Sequence, residues 1–281
     1  MKIGVIGLGL IGGSMAKAIR HHTEHTVFGM DKSEEIMQRA KLLQLLDDEL
    51  ALEDMVECEL IILALYPGDT VAFIQEHAAL LTGTTVIDCC GVKRVVLNAV
   101  APLSEEHDFT FIGGHPMAGL EHSGFEYSTV NLFDGASMIL TTDTAADVKL
   151  LDQMKQFFLS LGFGQVKFSD AEEHDHIIAY TSQLAHVLSS AYVKSEAALQ
   201  YRGFSAGSFQ DMTRVALLNE AMWAELFLAN SDNLAHEVES LAQRLLHYAN
   251  AIRGEDKEQL MYLLCEGRKR KQYLTEEEVQ S

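Results

Sequence analysis

Ile3-Gly4-Val5-Ile6-Gly7-Leu8-Gly9-Leu10-Ile11-Gly12-Gly13-Ser14 is the stretch that decides the fold. A short apolar run leads into glycines at G-x-G-x-x-G spacing and then into residues suited to a helix, so it reads as strand, tight turn, helix. Gly7 permits the turn, Gly9 lets a pyrophosphate approach the backbone, and Gly12 lets the helix pack close on the strand. Leu10 and Ile11 then open a helix whose free N–H groups and positive dipole end suit phosphates. A chance cluster of glycines gives the same match, but not the same context. A second strand candidate, Thr26–Met30, ends at Asp31, about twenty residues on, where a carboxylate can accept from both hydroxyls of a ribose. That acid repels a 2′-phosphate, so the expected cofactor is NAD rather than NADP, with Lys32 as a partial counterweight. The competing reading of Asp31 is a turn residue.

Outward from this stretch, further strand candidates follow at Leu60–Leu65, Thr85–Asp88, Thr110–Gly113, Ser137–Thr141 and Gln165–Phe168. Amphipathic runs such as Ser33–Leu46, Thr70–Leu81 and Asp147–Leu161 separate several of them. Such alternation predicts an α/β fold of the Rossmann type, a doubly wound and mostly parallel sheet. From about Asp170 no strand candidate remains. Helical periodicity runs through Ala171–Leu199, Met212–Ala229, Asn233–Arg253 and Lys257–Tyr273, with a loop at Arg202–Ser208 and a tail, Glu276–Ser281, expected to fray. The expected domains are therefore residues 1–169, binding the dinucleotide, and an all-helical 170–281.

The composition limits the partners. The chain has 281 residues, 48% hydrophobic and 22% charged, and a net charge of −20. That charge argues against nucleic acid and anionic membranes, and it makes any site for an anionic substrate a local exception. Cys58, Cys89, Cys90 and Cys265 show no paired metal spacing. With no cleavage pattern in Met1–Ile11 and no run of membrane-spanning length, reduced thiols in a cytoplasmic protein are expected.

Ligands of open α/β sheets bind beyond the carboxyl ends of strands. The loops at Leu65-Tyr66 and at Asp88-Cys89-Cys90-Gly91-Val92-Lys93 are therefore expected to face the nicotinamide half of the cofactor. Adjacent cysteines bridge only with strain, so Cys89 and Cys90 read as small buried side chains. His115 follows another strand, between Gly113-Gly114 and Pro116, a position suited to proton transfer beside a cofactor. Taken alone it could equally be a structural histidine. In His174-Asp175-His176 the two histidines point to different sides of a helix, so no metal is expected.

With these segments in view, the chain resembles the prephenate/arogenate dehydrogenase family over nearly its whole length. The landmarks are the glycine run, Asp88 with Val92-Lys93, and Gly114-His115-Pro116-Met117-Ala118-Gly119. In the helical part they are His174-Asp175, Thr181-Ser182-Gln183-Leu184-Ala185-His186, Phe209-Gln210-Asp211-Met212-Thr213-Arg214, Met222-Trp223 and Asn230. The resemblance implies oxidation at the ring C4 hydroxyl of prephenate by NAD, with loss of the C1 carboxylate as carbon dioxide. It implies that His115 accepts the hydroxyl proton, that Arg214 grips a substrate carboxylate, and that His186, Ser182 and Glu121 belong to the substrate pocket. On residues alone, Arg214 could instead pair with Asp211, and His186 could be a core histidine. A homodimer formed by the helical part is expected as well, because long apolar helices in so small a domain lack enough partners within one chain. Where family members carry a serine that hydrogen-bonds the histidine or substrate, this chain has Gly91, so a water, Ser123 or Ser182 has to take that role. Rival readings are a hydroxyacid or pyrroline reductase, working through a helical Lys or Ser, and an NAD-binding protein without turnover.

Overall fold

The computed structural model describes residues 1–120, 122–142 and 147–280, the side chains of 276–280 excepted. Its sheet is eight-stranded: β1 (Lys2–Ile6), β2 (Thr26–Met30), β3 (Asp48–Glu49), β4 (Leu60–Leu63), β5 (Thr85–Asp88), β6 (Thr110–Pro116), β7 (Ser137–Thr141) and β8 (Gln165–Ser169). The spatial order is β3-β2-β1-β4-β5-β6-β7-β8. All pairs are parallel except β6 with β7. The order reverses between β1 and β4, the switch point at which doubly wound sheets open a crevice.

Alternation along the strands explains the layers. Ile3 and Val5 of β1, Leu60 and Ile62 of β4 and Ile87 of β5 join one core, while Ile6, Ile61, Leu63 and Val86 join a second on the other face. The first core is covered by α1 (Leu10–His22) and α5 (Val148–Ser160) through Met15, Ile19, Met154 and Phe158. The second is covered by α3 (Pro67–His77) and α4 (Arg94–His107) through Ile74, Val96 and Val100. A Cβ at Gly12 would lie 1.8 Å from the Gly7 carbonyl oxygen, so no other residue lets α1 approach the turn so closely.

Several element bounds differ from expectation. β3 was not foreseen, since two acidic residues carry no strand signal. α2 (Glu34–Leu42) stops short of Leu46, and Gln44 turns the chain with φ 52° so that Leu45 and Leu46 enter the core. β4 ends at Leu63, which leaves Leu65 and Tyr66 in the turn, and α3 opens earlier than expected with Pro67 in its first turn, where a missing N–H costs nothing. β6 continues through His115 to Pro116, because antiparallel β7 pairs with it from Gly113 onward.

After β8 the chain is helical: α6 (Ala171–Ile178), a π-helical turn at Ala179–Gln183, α7 (Leu184–Tyr192), α8 (Gly207–Thr213) and α9 (Glu220–Ala229). The single helix expected over Met212–Ala229 is interrupted, and Asn219 starts α9 afresh by accepting from the Met222 N–H at 3.0 Å. Helix already occupies Gly207 and Ser208, so the loop expected to reach Ser208 ends before them. By compactness the chain divides into Met1–Ser231 and Asp232–Ser281. In the second unit α10 (Ser231–Arg253) turns through Gly254 and the left-handed Glu255 into α11 (Lys257–Gln280), and Tyr248 Oη donates to the Leu263 carbonyl. The helix extends into the tail that was expected to fray. No helix among the described residues is long and apolar enough to cross a membrane.

Candidate active site

Both backbone groups of Gly114, the residue before His115, are held by a buried ion pair. Asp88, the last residue of β5, accepts the Gly114 N–H at 2.9 Å, and Lys93 donates to the Gly114 carbonyl at 2.6 Å. Asp88 and Lys93 bind each other and are fully buried. β5 stops pairing with β6 at Ile112, so these two side chains take over where the ladder ends. A Cβ at Gly114 would stand 2.4 Å from the Asp88 carbonyl oxygen, which is why glycine precedes the histidine.

The half-buried His115 ring then meets α6. Its Nδ1 lies 2.9 Å from His174 Nε2, and His174 Nδ1 lies 2.7 Å from Asp175 Oδ1. Asp175 also accepts the backbone N–H groups of Lys93 at 2.8 Å and Arg94 at 3.0 Å, so it caps the start of α4 from another helix. Burial alone would raise the Asp175 carboxyl, but the hydrogen bonds from His174 and from the Arg94 and Lys93 N–H groups hold it below its usual value. Burial lowers His174 against the pull of Asp175. Burial, His174 and the Lys93 ammonium together hold His115 well below the ordinary imidazole value.

These directions set the protons. With both rings neutral, the anionic Asp175 requires hydrogen on His174 Nδ1, which makes His174 Nε2 an acceptor. His115 must then carry its hydrogen on Nδ1, and its Nε2 is left with a free lone pair. A Cβ at Gly91 would lie 3.9 Å from that Nε2 and 3.5 Å from Leu226 Cδ2, so the basic nitrogen borders a space between Gly91 and α9. Among the described residues the side-chain partner of His115 Nδ1 is thus His174, which the sequence reading did not name. The one signal for it in the sequence was a His-Asp pair on an otherwise apolar helix face.

A second group lies farther along the helical rod. Ser182 sits in the π-helical turn, and His186 follows one turn later in α7. The His186 Nδ1 donates to the Val215 carbonyl at 3.1 Å, and the Trp223 ring packs on the imidazole with centroids 3.7 Å apart. Trp223 is half-buried and packs against His186. Burial and the neighbouring Arg214 charge lower His186 despite its bond to Val215. The structure thus brings Arg214 and His186 together. Glu121 lies outside the described residues.

On the cofactor side, Gly9 precedes α1 with nothing within 4 Å of an added Cβ, and the first turn of α1 has neither an acidic residue nor a side-chain cap. Open backbone at a helix start whose own first turn carries no acidic residue fits a pyrophosphate at Gly7, Gly9, Leu10, Ile11 and Gly12. Asp31 accepts from the Leu8 N–H at 2.8 Å and from the Ser33 N–H at 2.9 Å, which holds its carboxylate beside that turn. Leu65, Tyr66 and Gly91 lie in turns after β4 and β5. Cys89 and Cys90 are free thiols, the first pushed up to about 12 by burial and the nearby Asp88.

The comparisons agree with this geometry. A family model described as "Prephenate dehydrogenase, nucleotide-binding domain" matches residues 15–166, and one described as "Prephenate dehydrogenase, dimerization domain" matches residues 170–266. The chain is 30% identical to a prephenate dehydrogenase of Lactococcus lactis over 96% of its own length and 77% of the relative's. It superposes on Aquifex aeolicus prephenate dehydrogenase, solved with hydroxyphenyl propionate and NAD+, with a TM-score of 0.82 at 28% identity and 98% coverage of both chains. A Synechocystis arogenate dehydrogenase gives a TM-score of 0.82 at 25% identity, covering 97% of this chain and all of that one. The glycine turn, the clamped His115 and the helical part behind it therefore belong together, and the chain is a member of the prephenate dehydrogenase family.

Proposed function

We propose that this chain is an NAD-dependent prephenate dehydrogenase, converting prephenate to 4-hydroxyphenylpyruvate with release of carbon dioxide. The observation that carries the reading is the hydrogen-bonded chain His115–His174–Asp175, which assigns the free lone pair to His115 Nε2. Held at the glycine turn and Asp31, NAD would supply the acceptor for the hydride of the ring carbon that bears the hydroxyl. His115 Nε2 accepts the hydroxyl proton, and its Nδ1–H, shared with His174 and backed by the anionic Asp175, steadies the charge that forms on the ring. The ion pair of Asp88 and Lys93 keeps the imidazole from drifting out of line. Arg214 engages a substrate carboxylate through the planar geometry of its guanidinium, with His186 and Ser182 as further substrate-pocket residues. Gly7, Gly9, Leu10, Ile11 and Gly12 hold the pyrophosphate, Asp31 the ribose, and Leu65, Tyr66 and Gly91 the nicotinamide half.

Residues 1–169 supply the cofactor site and 170–281 the substrate side and a homodimer interface. The dimerization-domain match and the exposed Leu245, Ile252, Met261 and Leu264 of α10 and α11 support that pairing. Its place is the cytoplasm. Appearance of NADH absorbance with prephenate, run beside arogenate, tests the activity. Faster turnover of arogenate moves the assignment to the relative that carries an amino group on the side chain, and turnover of neither removes it.

Asp31 makes the cofactor choice measurable. NAD should exceed NADP by at least about tenfold in kcat/KM, roughly what a hydrogen-bonded ribose is worth against a repelled phosphate. Equal use of both cofactors would remove Asp31 from the ribose site.

A further inference from the structure

Asn230 terminates α9 and is fully buried. Its Nδ2 donates to the Asp175 carbonyl at 2.7 Å and to Gln183 Oε1 at 2.9 Å, and its Oδ1 accepts from Arg94 Nη2 at 3.0 Å. Gln183 in turn donates through Nε2 to the Leu226 carbonyl at 3.0 Å. One side-chain amide therefore joins the helix that anchors the His115–His174–Asp175 chain, the π-helical turn, the start of α4, and the helix whose Leu226 walls the space at His115 Nε2. Only an amide satisfies this junction. It needs two donors and an acceptor at one point, and a carboxylate supplies no donor.

The π-helical turn fits the same junction. The extra residue of a π turn rotates the helix that follows it. Gln183, its last residue, is buried and lies between Asn230 and the Leu226 carbonyl. The Asp175 carbonyl accepts both the Ala179 N–H, which leads into that turn, and the Asn230 amide. Loosening Asn230 thus frees Asp175 and Leu226 at once, the anchor and the wall of the same imidazole.

We infer that Asn230 is a positioning residue for proton transfer, which holds the His115 ring between the Asp175–His174 pair behind it and Leu226 in front. The inference rests on His115 being the proton acceptor. Charged and titratable groups at the junction include Asp88 and Lys93 from the end of β5 and its loop, Arg94 from α4, Glu172, His174 and Asp175 from α6, and His115 from β6. Among them an added carboxylate at 230 adds one negative charge next to Asp175 and favours the protonated form of the histidines.

The test is Asn230→Asp, nearly the same shape with the donors removed, together with Gln183→Glu. Turnover with prephenate should fall by about ten- to a hundredfold, as expected for a misaligned base, with KM for NAD within about twofold of wild type. The acid limb of the pH profile should move to higher pH by about half a unit or more. Ring-proton NMR titration of His174 and His115 in the enzyme without substrate should show the same upward move, a readout independent of which substrate is turned over. A merely structural role predicts a lowered melting temperature with unchanged kcat per folded site and unchanged histidine titration, and that result overturns the inference. If Asn230→Asp does not fold, Gln183→Glu decides on the same measurements, because it keeps the acceptor for Asn230 and removes the donor to Leu226. A wild-type enzyme inactive on prephenate and arogenate would remove the proposed activity while leaving the NMR result to stand by itself.

Discussion

His115→Asn should fold, bind NAD with unchanged affinity, and lose about two to four orders of magnitude in turnover, the usual worth of a positioned general base. Asparagine can keep a hydrogen bond to His174 Nε2 through its amide N–H, so the chain to Asp175 survives while the basic lone pair disappears. The wild-type pH profile checks the same idea from the other side. The base works only unprotonated, and burial, His174 and Lys93 all push its titration down. In kcat/KM, which reports the free enzyme, activity should therefore hold as pH falls past the ordinary imidazole value of 6.5 and drop only below it. A variant with near wild-type turnover, or a profile already falling well above that value, would move the proton to another group.

The second large effect is expected at Arg214. Prephenate is a dianion and the chain carries a net charge of −20, so long-range attraction cannot gather the substrate. Binding has to come from short-range contacts between cation and carboxylate. Loss of such a contact costs about 2–5 kcal/mol, much of it the penalty of leaving the carboxylate unpaired. Arg214→Gln should raise KM for prephenate at least about tenfold, with NAD affinity and melting temperature close to wild type. Arg214→Lys should recover only part of the loss, since an ammonium cannot reproduce two parallel hydrogen bonds. Removing the Arg214 charge should also let His186 titrate upward, because that charge is one of the causes holding it down. If Arg214 serves instead as a structural partner of Asp211, melting temperature falls and substrate affinity survives in whatever protein folds.

Local pattern and tertiary pairing differ in how far sequence reveals them. The turn at Gly7–Gly12 was legible because each glycine answers a local demand: a tight turn, a close backbone, a close helix. β2, β5 and β7 were legible to the residue because β-rich runs end against turn residues. β6 was cut short at Gly113, since Gly-Gly and Pro116 read as a stop, whereas antiparallel pairing with β7 carries the strand on. His174 and Asp175 were visible as residues but not as partners of His115. His115 and His174 are separated by 59 positions in sequence, with no periodicity that would join them. Metal spacing is a pattern along one helix, whereas the partner of His174 stands on another element, at the end of β6. The break before α9 was legible in principle, since Asn219 followed by Glu220 is a capping signal inside an apolar run.

The capped carboxylate of Asp175 limits how the chain could be taken apart or recombined. His115 belongs to the sheet, yet the groups that decide which of its nitrogens bears hydrogen come from the first helix after the last strand, and that helix is itself fastened to the start of α4. A piece ending at Ser169 would carry the imidazole and the whole glycine turn, but its ring would exchange freely between two tautomers, one of them with hydrogen on the nitrogen that must be bare. Swapping nucleotide-binding halves between related dehydrogenases would therefore transplant a histidine without its chemistry, unless the first turns of α6 travelled with it.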